Sequence, residues 1–173
     1  HSLLSVDLAA MAQGDYLPLG VELKDMVVDS TAGRVYVSGT AGQVYVLDSA
    51  TYERLVTLPG QGRLTLDAPH HRLYVWEDYG DQVTALDLET LSLAGIIPEG
   101  GYVSVDSQAN RLFVGHHIGY EGPGPGDEGV RVFDGETLEQ IATAAMLGIP
   151  TYNPLADELY VINLTAHILD GQT

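Results

Sequence analysis

The chain repeats itself, and the repeat limits its folds more than any other feature. Four segments share one pattern: Arg34-Val35-Tyr36-Val37, Arg72-Leu73-Tyr74-Val75, Arg111-Leu112-Phe113-Val114 and Glu158-Leu159-Tyr160-Val161. Each is a charged residue, an aliphatic, an aromatic and a valine. Each lies five residues after an Asp or Asn (Asp29, Asp67, Asp106, Asn153), and successive copies are 38, 39 and 47 residues apart. A second marker reads Asp-x-x-Thr in every unit, at Asp48–Thr51, Asp87–Thr90, Asp134–Thr137 and Asp170–Thr173. The Asp of such a turn can accept hydrogen bonds from backbone N–H groups two residues on, and the Thr supports the same turn. Asp7 closes a similar run, Leu3–Val6, with a degenerate turn.

Each unit parses into four short strands. In the first full unit they are Leu23–Val28, Arg34–Ser38, Gln43–Leu47 and Arg54–Leu58. About 40 residues and four antiparallel strands is the size of a β-propeller blade. The expected fold is therefore all-β, with about four blades visible. Residues 1–20 form the end of one blade, 21–60, 61–100 and 101–148 full blades, and 149–173 an incomplete one. The segment Leu138–Leu147 could pass as a helix, but the repeat assigns it to an outer strand. The aromatics Tyr36, Tyr74, Phe113 and Tyr160 read as packing between blades, whose middle strands are apolar on both faces. An arc of blades leaves apolar faces in water. Three arrangements would cover them: further blades completing a six- to eight-bladed ring, closure as a four-bladed ring, or pairing with a second copy. The first is the expectation. The chain begins at His1 rather than Met, so its start is processed, trimmed or internal.

Charge and composition narrow the partners. There are 24 acidic residues against 7 basic ones, a net charge of −17, and Lys24 is the only lysine. That field repels phosphate backbones and anionic membranes, so nucleic acid is excluded as an expected partner. The absence of cysteine removes disulfides, thiol catalysis, iron–sulfur clusters, covalent haem attachment and cysteine zinc sites. No apolar run approaches the ~18 residues of a membrane span. Nor does the chain carry a nucleophile elbow, a phosphate-binding Gly-rich loop or a zincin helix.

One unit breaks the pattern. Between Val114 and Val130 lie 15 residues, about eight more than in the sister units. In this long loop, 115–129, stand His116, His117, Ile118, Tyr120, Glu121, Asp127 and Glu128. An insertion in one blade of a regular repeat is where function tends to sit. His116, His117, Asp127 and Glu128 are candidate ligands of a divalent metal, together with Glu77 and Asp81 of the equivalent loop one unit earlier, where Asp78 also lies. Ile118, Tyr120 and Glu121 are candidate partner contacts. Against a metal, adjacent histidines on a strand point to opposite faces, and an acidic turn is most simply a solvated one. His70 and His71 fall between a first and a second strand, at the opposite end of the blade from His117. Asn163-Leu164-Thr165 matches a glycosylation sequon.

The string from Asp29 to Thr51 (Asp…Arg-Val-Tyr-Val…Val-Tyr-Val-Leu-Asp-x-x-Thr) resembles the YVTN-type β-propeller repeats, part of the superfamily with lactonase-like and quinoprotein-like propellers. The resemblance covers most of the chain. Its motif residues are structural, so it carries over no catalytic residue. The last unit departs from it, with Glu158 for Arg and Ala166-His167 interrupting the third strand. Members are often exported, which implies an extracellular, cell-surface or periplasmic setting. The function expected first is a non-catalytic binding or assembly module, presenting loops to a protein or polymer partner. The alternative is an enzyme, a metal-assisted lactonase-like hydrolase or a propeller oxidoreductase with its site at the channel mouth.

Overall fold

The computed structural model describes residues 2–7, 12–77, 80–116, 129–162 and 167–170. The chain forms two compact units, His1–Arg63 and Leu64–Thr173. The described residues are strands joined by turns, and the fold is an all-β propeller built of antiparallel blades. No helix among them is long and apolar enough to cross a membrane.

In the first unit, β1 (Ser2–Asp7) pairs with β2 (Ala12–Pro18). A four-stranded sheet follows in the order β3 (Leu23–Asp29), β4 (Arg34–Gly39), β5 (Gln43–Asp48) and β6 (Arg54–Pro59). The middle strands β4 and β5 are almost wholly buried, because a blade packs on both faces. Leu19 joins Val35, Val37, Tyr45 and Leu47 in one apolar cluster, with Leu17, Val21 and Leu23 at its margin.

The second unit holds the four-stranded sheets β7 (Arg63–Asp67), β8 (Arg72–Trp76), β9 (Val83–Asp87), β10 (Ser92–Ile97) and β11 (Tyr102–Asp106), β12 (Arg111–Gly115), β13 (Val130–Asp134), β14 (Gln140–Ala144). Three further strands, β15 (Ile149–Asn153), β16 (Glu158–Ile162) and β17 (His167–Asp170), make the last sheet. Segment 138–147 supplies an outer strand, as the repeat requires. Tyr74, Trp76, Val83, Ala85 and Ile97 of one sheet pack on Val103, Leu112, Val114 and Phe133 of the next. Phe113, Val130 and Val132 then pack on Leu159 and Val161. The repeat aromatics Tyr74 and Phe113 thus lie between sheets, and Phe113 stacks on Tyr152 with ring centroids 5.9 Å apart.

The sheets are closed at one end by carboxylates. Asp48 Oδ1 accepts from the N–H of Ala50 and Thr51 at 2.9 and 2.8 Å. Asp87 does the same for Glu89 and Thr90, and Asp134 for Glu136 and Thr137. These bonds hold all three carboxyls below their ordinary range. The upstream residues act alike: the carboxylates of Asp29 and Asp106 accept from Thr31 and Ala32 and from Gln108 and Ala109, and the side-chain amide oxygen of Asn153 accepts from Leu155. Asp67 differs. Pro69 has no N–H to give, so a single 3-10 turn (Ala68–His70) forms and His70 Nδ1 sits 3.0 Å from Asp67 Oδ2. The fourth turn marker, Asp170–Thr173, extends past Asp170 outside the described residues, as does the turn after Asp7.

Candidate functional site

The other end of the blades carries the linkers between second and third strands and those between sheets. Here no side-chain carboxylate repeats. In the second unit, backbone packs on backbone. A Cβ on Gly100 would collide with the carbonyl of Gly80, one on Gly101 would press on Gly115 O, and one on Gly129 would collide with Ala144 O. Gly101 and Gly129 also adopt φ of +130° and +138°, which only glycine takes readily. The β10–β11 linker is therefore wedged between the β8–β9 linker and the start of the β12–β13 connection, and the end of that connection lies against the β14–β15 linker.

Glu99 lies in that wedge and is 9% exposed. Its Oε1 is 3.4 Å from His116 Nε2, and its Oε2 meets the guanidinium of Arg131. Burial pushes its carboxyl up, but the bonds from His116 and Arg131 outweigh burial and hold it below the ordinary value. The carboxylate is thus ionised, paired on both oxygens and no proton donor near neutral pH. His116 and Arg131 remain a quarter to a third exposed.

Of the sequence candidates, His116 stands at the end of β12, in this cluster. Glu77 and Asp81 border the β8–β9 linker, and Gly80 N donates to Glu77 O at 3.1 Å. His117, Ile118, Tyr120, Glu121, Asp127 and Glu128 lie outside the described residues, as do Asp78 and the Asn163–Thr165 sequon. Among the described residues no three His, Asp or Glu side chains gather as a metal-binding group. His70 and His71 sit at the Asp-closed end, away from His116; His70 is tied to Asp67, and His71 Nε2 is 3.9 Å from Glu89.

Sequence reasoning passed over Glu99 and Arg131, although the repeat held the signal. Aligned on the glycine before each first strand (Gly62, Gly101, Gly148), Glu99 stands where the sister linkers have Gly60 and Met146. Aligned on the turn Asp, Arg131 stands where the sisters have Tyr45, Thr84 and His167. Both charges depart from the repeat in the blade that carries the insertion.

A second cluster joins two sheets at the Asp-closed end. Arg111 donates through Nε and Nη2 to Asp106 Oδ2 at 2.9 and 2.6 Å, and its Nη2 is 3.7 Å from Asp157. Tyr152 donates to Asp157 at 2.8 Å. Burial pushes the Tyr152 hydroxyl up to about 12, with Asp157 adding to the shift. Burial likewise pushes Asp106 up, but Arg111 and two backbone N–H groups hold it below its usual range. Arg111 and Asp106 are repeat positions, and the network reads as a brace between sheets.

No family model matches the chain, and no curated protein matches it in sequence. Solved structures do match in fold. The Neurospora crassa Pan2 WD40 domain superposes with a TM-score of 0.74 at 16% identity, over 98% of this chain and 56% of that one. KlHsv2 with its loop 6CD replaced by a Gly-Ser linker gives 0.72 at 11% identity, over 98% and 57%. This chain spans a little over half the length of each. Two sheets closed alike by Asp turns, stacked through the repeat aromatics and matched to such domains at this level, establish the fold: the chain has a β-propeller fold similar to that of WD40 domains.

Proposed function

We propose that the chain is a non-catalytic docking module, an acidic propeller segment that offers the loop-bearing end of its blades to a protein or polymer partner. One observation carries the reading. The Asp48, Asp87 and Asp134 turns are built alike, whereas the other end holds both the insertion and the paired charges that leave the repeat. Rigid scaffolds that vary loops at one end are suited to recognition. WD40-type fold neighbours support a scaffold of this kind. The net charge of −17 favours a partner with a basic surface.

The repeat motif supports the YVTN-type group, and with it a place outside the cell or on its surface. Further blades, from a longer polypeptide or a second copy, would complete the ring. In support, Tyr74 and Phe113 are covered by the next sheet, whereas the equivalent Tyr160 is only half-buried and Ile162, two residues on, is 56% exposed.

The test is affinity capture with the wild-type chain and with a variant lacking residues 119–126, each captured protein then being titrated in purified form at low and high salt. The reading expects a binder that is lost with the deletion and weakened by salt. A binder that holds the deleted variant as tightly as the wild type would contradict it.

A further inference from the structure

We propose that Glu99 is the positioning residue of the loop-bearing end, its carboxylate tying the β10–β11 linker to both stems of the 117–128 segment. The inference deepens the docking reading and rests on it for its purpose, though not for its test. Three observations carry it. First, the tie reaches both stems: His116 immediately precedes the segment, and Arg131 follows it by three residues, one on each Glu99 oxygen. Second, the linker is fixed on its other side as well, because Gly100 lies against Gly80 without room for a side chain, while Gly101 lies equally close to Gly115 on the His116 stem. A displacement of Glu99 would therefore be passed to the β8–β9 linker that carries Glu77 and Asp81. Third, no sister unit holds the same three residues: Gly60 and Met146 stand for Glu99, Tyr45, Thr84 and His167 for Arg131, and Gly39, Glu77 and Asn163 for His116.

A buried ion pair is a poor source of stability, since desolvation offsets much of the attraction. Placing it at the root of the one long insertion is explained by geometry: β12 and β13 already pair there, Val114 against Arg131, and the carboxylate adds a tie from the β10–β11 linker to both strands.

The test is hydrogen exchange by mass spectrometry on the full chain, wild type against Glu99→Gln. The expected result is at least tenfold faster exchange at residues 99–101, 115–116 and 129–131, with the Asp turns at 49–53 and 135–139 unchanged. Exchange that stays the same throughout, or that rises equally at both ends of the blades, would overturn the proposal, because the pair would then be either idle or merely structural. If Glu99→Gln does not fold, Arg131→Gln breaks the same tie from the other side and is read in the same way. Local loosening with partner capture unchanged would leave the role of Glu99 standing and sink the docking reading. Lost capture without loosening would do the reverse.

Discussion

At one end of the blades Asp carboxylates close the turns after Asp48, Asp87 and Asp134; at the other, glycine lets one backbone lie on another. The difference is one of range. The Asp48, Asp87 and Asp134 turns bind N–H groups two and three residues away, and they form the same way in each sheet. The Gly100–Gly80 and Gly129–Ala144 approaches join segments that are far apart or separated by a whole strand. Local bonds make an end that repeats. Tertiary contact makes an end that can differ from blade to blade, and Glu99, His116 and Arg131 show such a difference. A scaffold needs the first, and recognition needs the second.

Acid should act on both ends. Asp48, Asp87, Asp106 and Asp134 at one end and Glu99 at the other all have folded values below their ordinary ones, so their contribution is present above about pH 4 and is lost as pH falls through the folded values. Stability read from urea midpoints should be level above about pH 5 and fall below about pH 4. A chain of net charge −17 governed by self-repulsion would instead gain stability as its carboxylates protonate, and that outcome would break the comparison.

At the loop-bearing end, Gly129→Ala adds a Cβ against Ala144 O at a φ of +138°. The expected cost is at least about 3 kcal/mol. A urea midpoint shifted by less than a third of that would mean that the backbone there yields easily. Arg111→Ala leaves Asp106, 1% exposed, without its guanidinium, at an expected cost of about 2–3 kcal/mol. Arg111→Lys should recover only part of it, because Lys cannot bond through two nitrogens; full recovery would show a simple charge effect.

The smallest effect should be of opposite sign. Leu91 follows an Asp-x-x-Thr turn with φ of +52°, as Tyr52 and Leu138 do at +59° and +60°. Leu91→Gly removes a left-handed strain of about 1–2 kcal/mol and adds an unfolded-chain entropy cost of about 0.5–1, for a net gain near 0.5 kcal/mol. Thermal unfolding would show it, and a loss of stability would mean that the Leu91 side chain contributes more than its backbone costs.

Much of this was legible in the chain itself. Strands β3–β6 fall within a residue of their expected bounds, because the alternation and the turn residues are local. Glu99 and Arg131 were not found, because their partnership spans 32 residues and neither matches a motif; only alignment of the units against one another marks them. His70 shows the same limit from the other side. Its bond to Asp67 follows from Pro69 having no N–H, a substitution inside a turn whose outline the repeat already gave. The metal candidates His117, Asp127 and Glu128 lie outside the described residues and keep the standing they had as sequence.

The docking end is tested most directly by a footprint. Hydrogen exchange would be measured across the chain with and without a purified binder obtained by the capture experiment. Protection at residues 80–81, 99–101 and 129–131, with the turns at 49–53 and 135–139 unprotected, is the predicted result. Protection confined to those Asp-closed turns would place recognition at the repeating end and contradict the account.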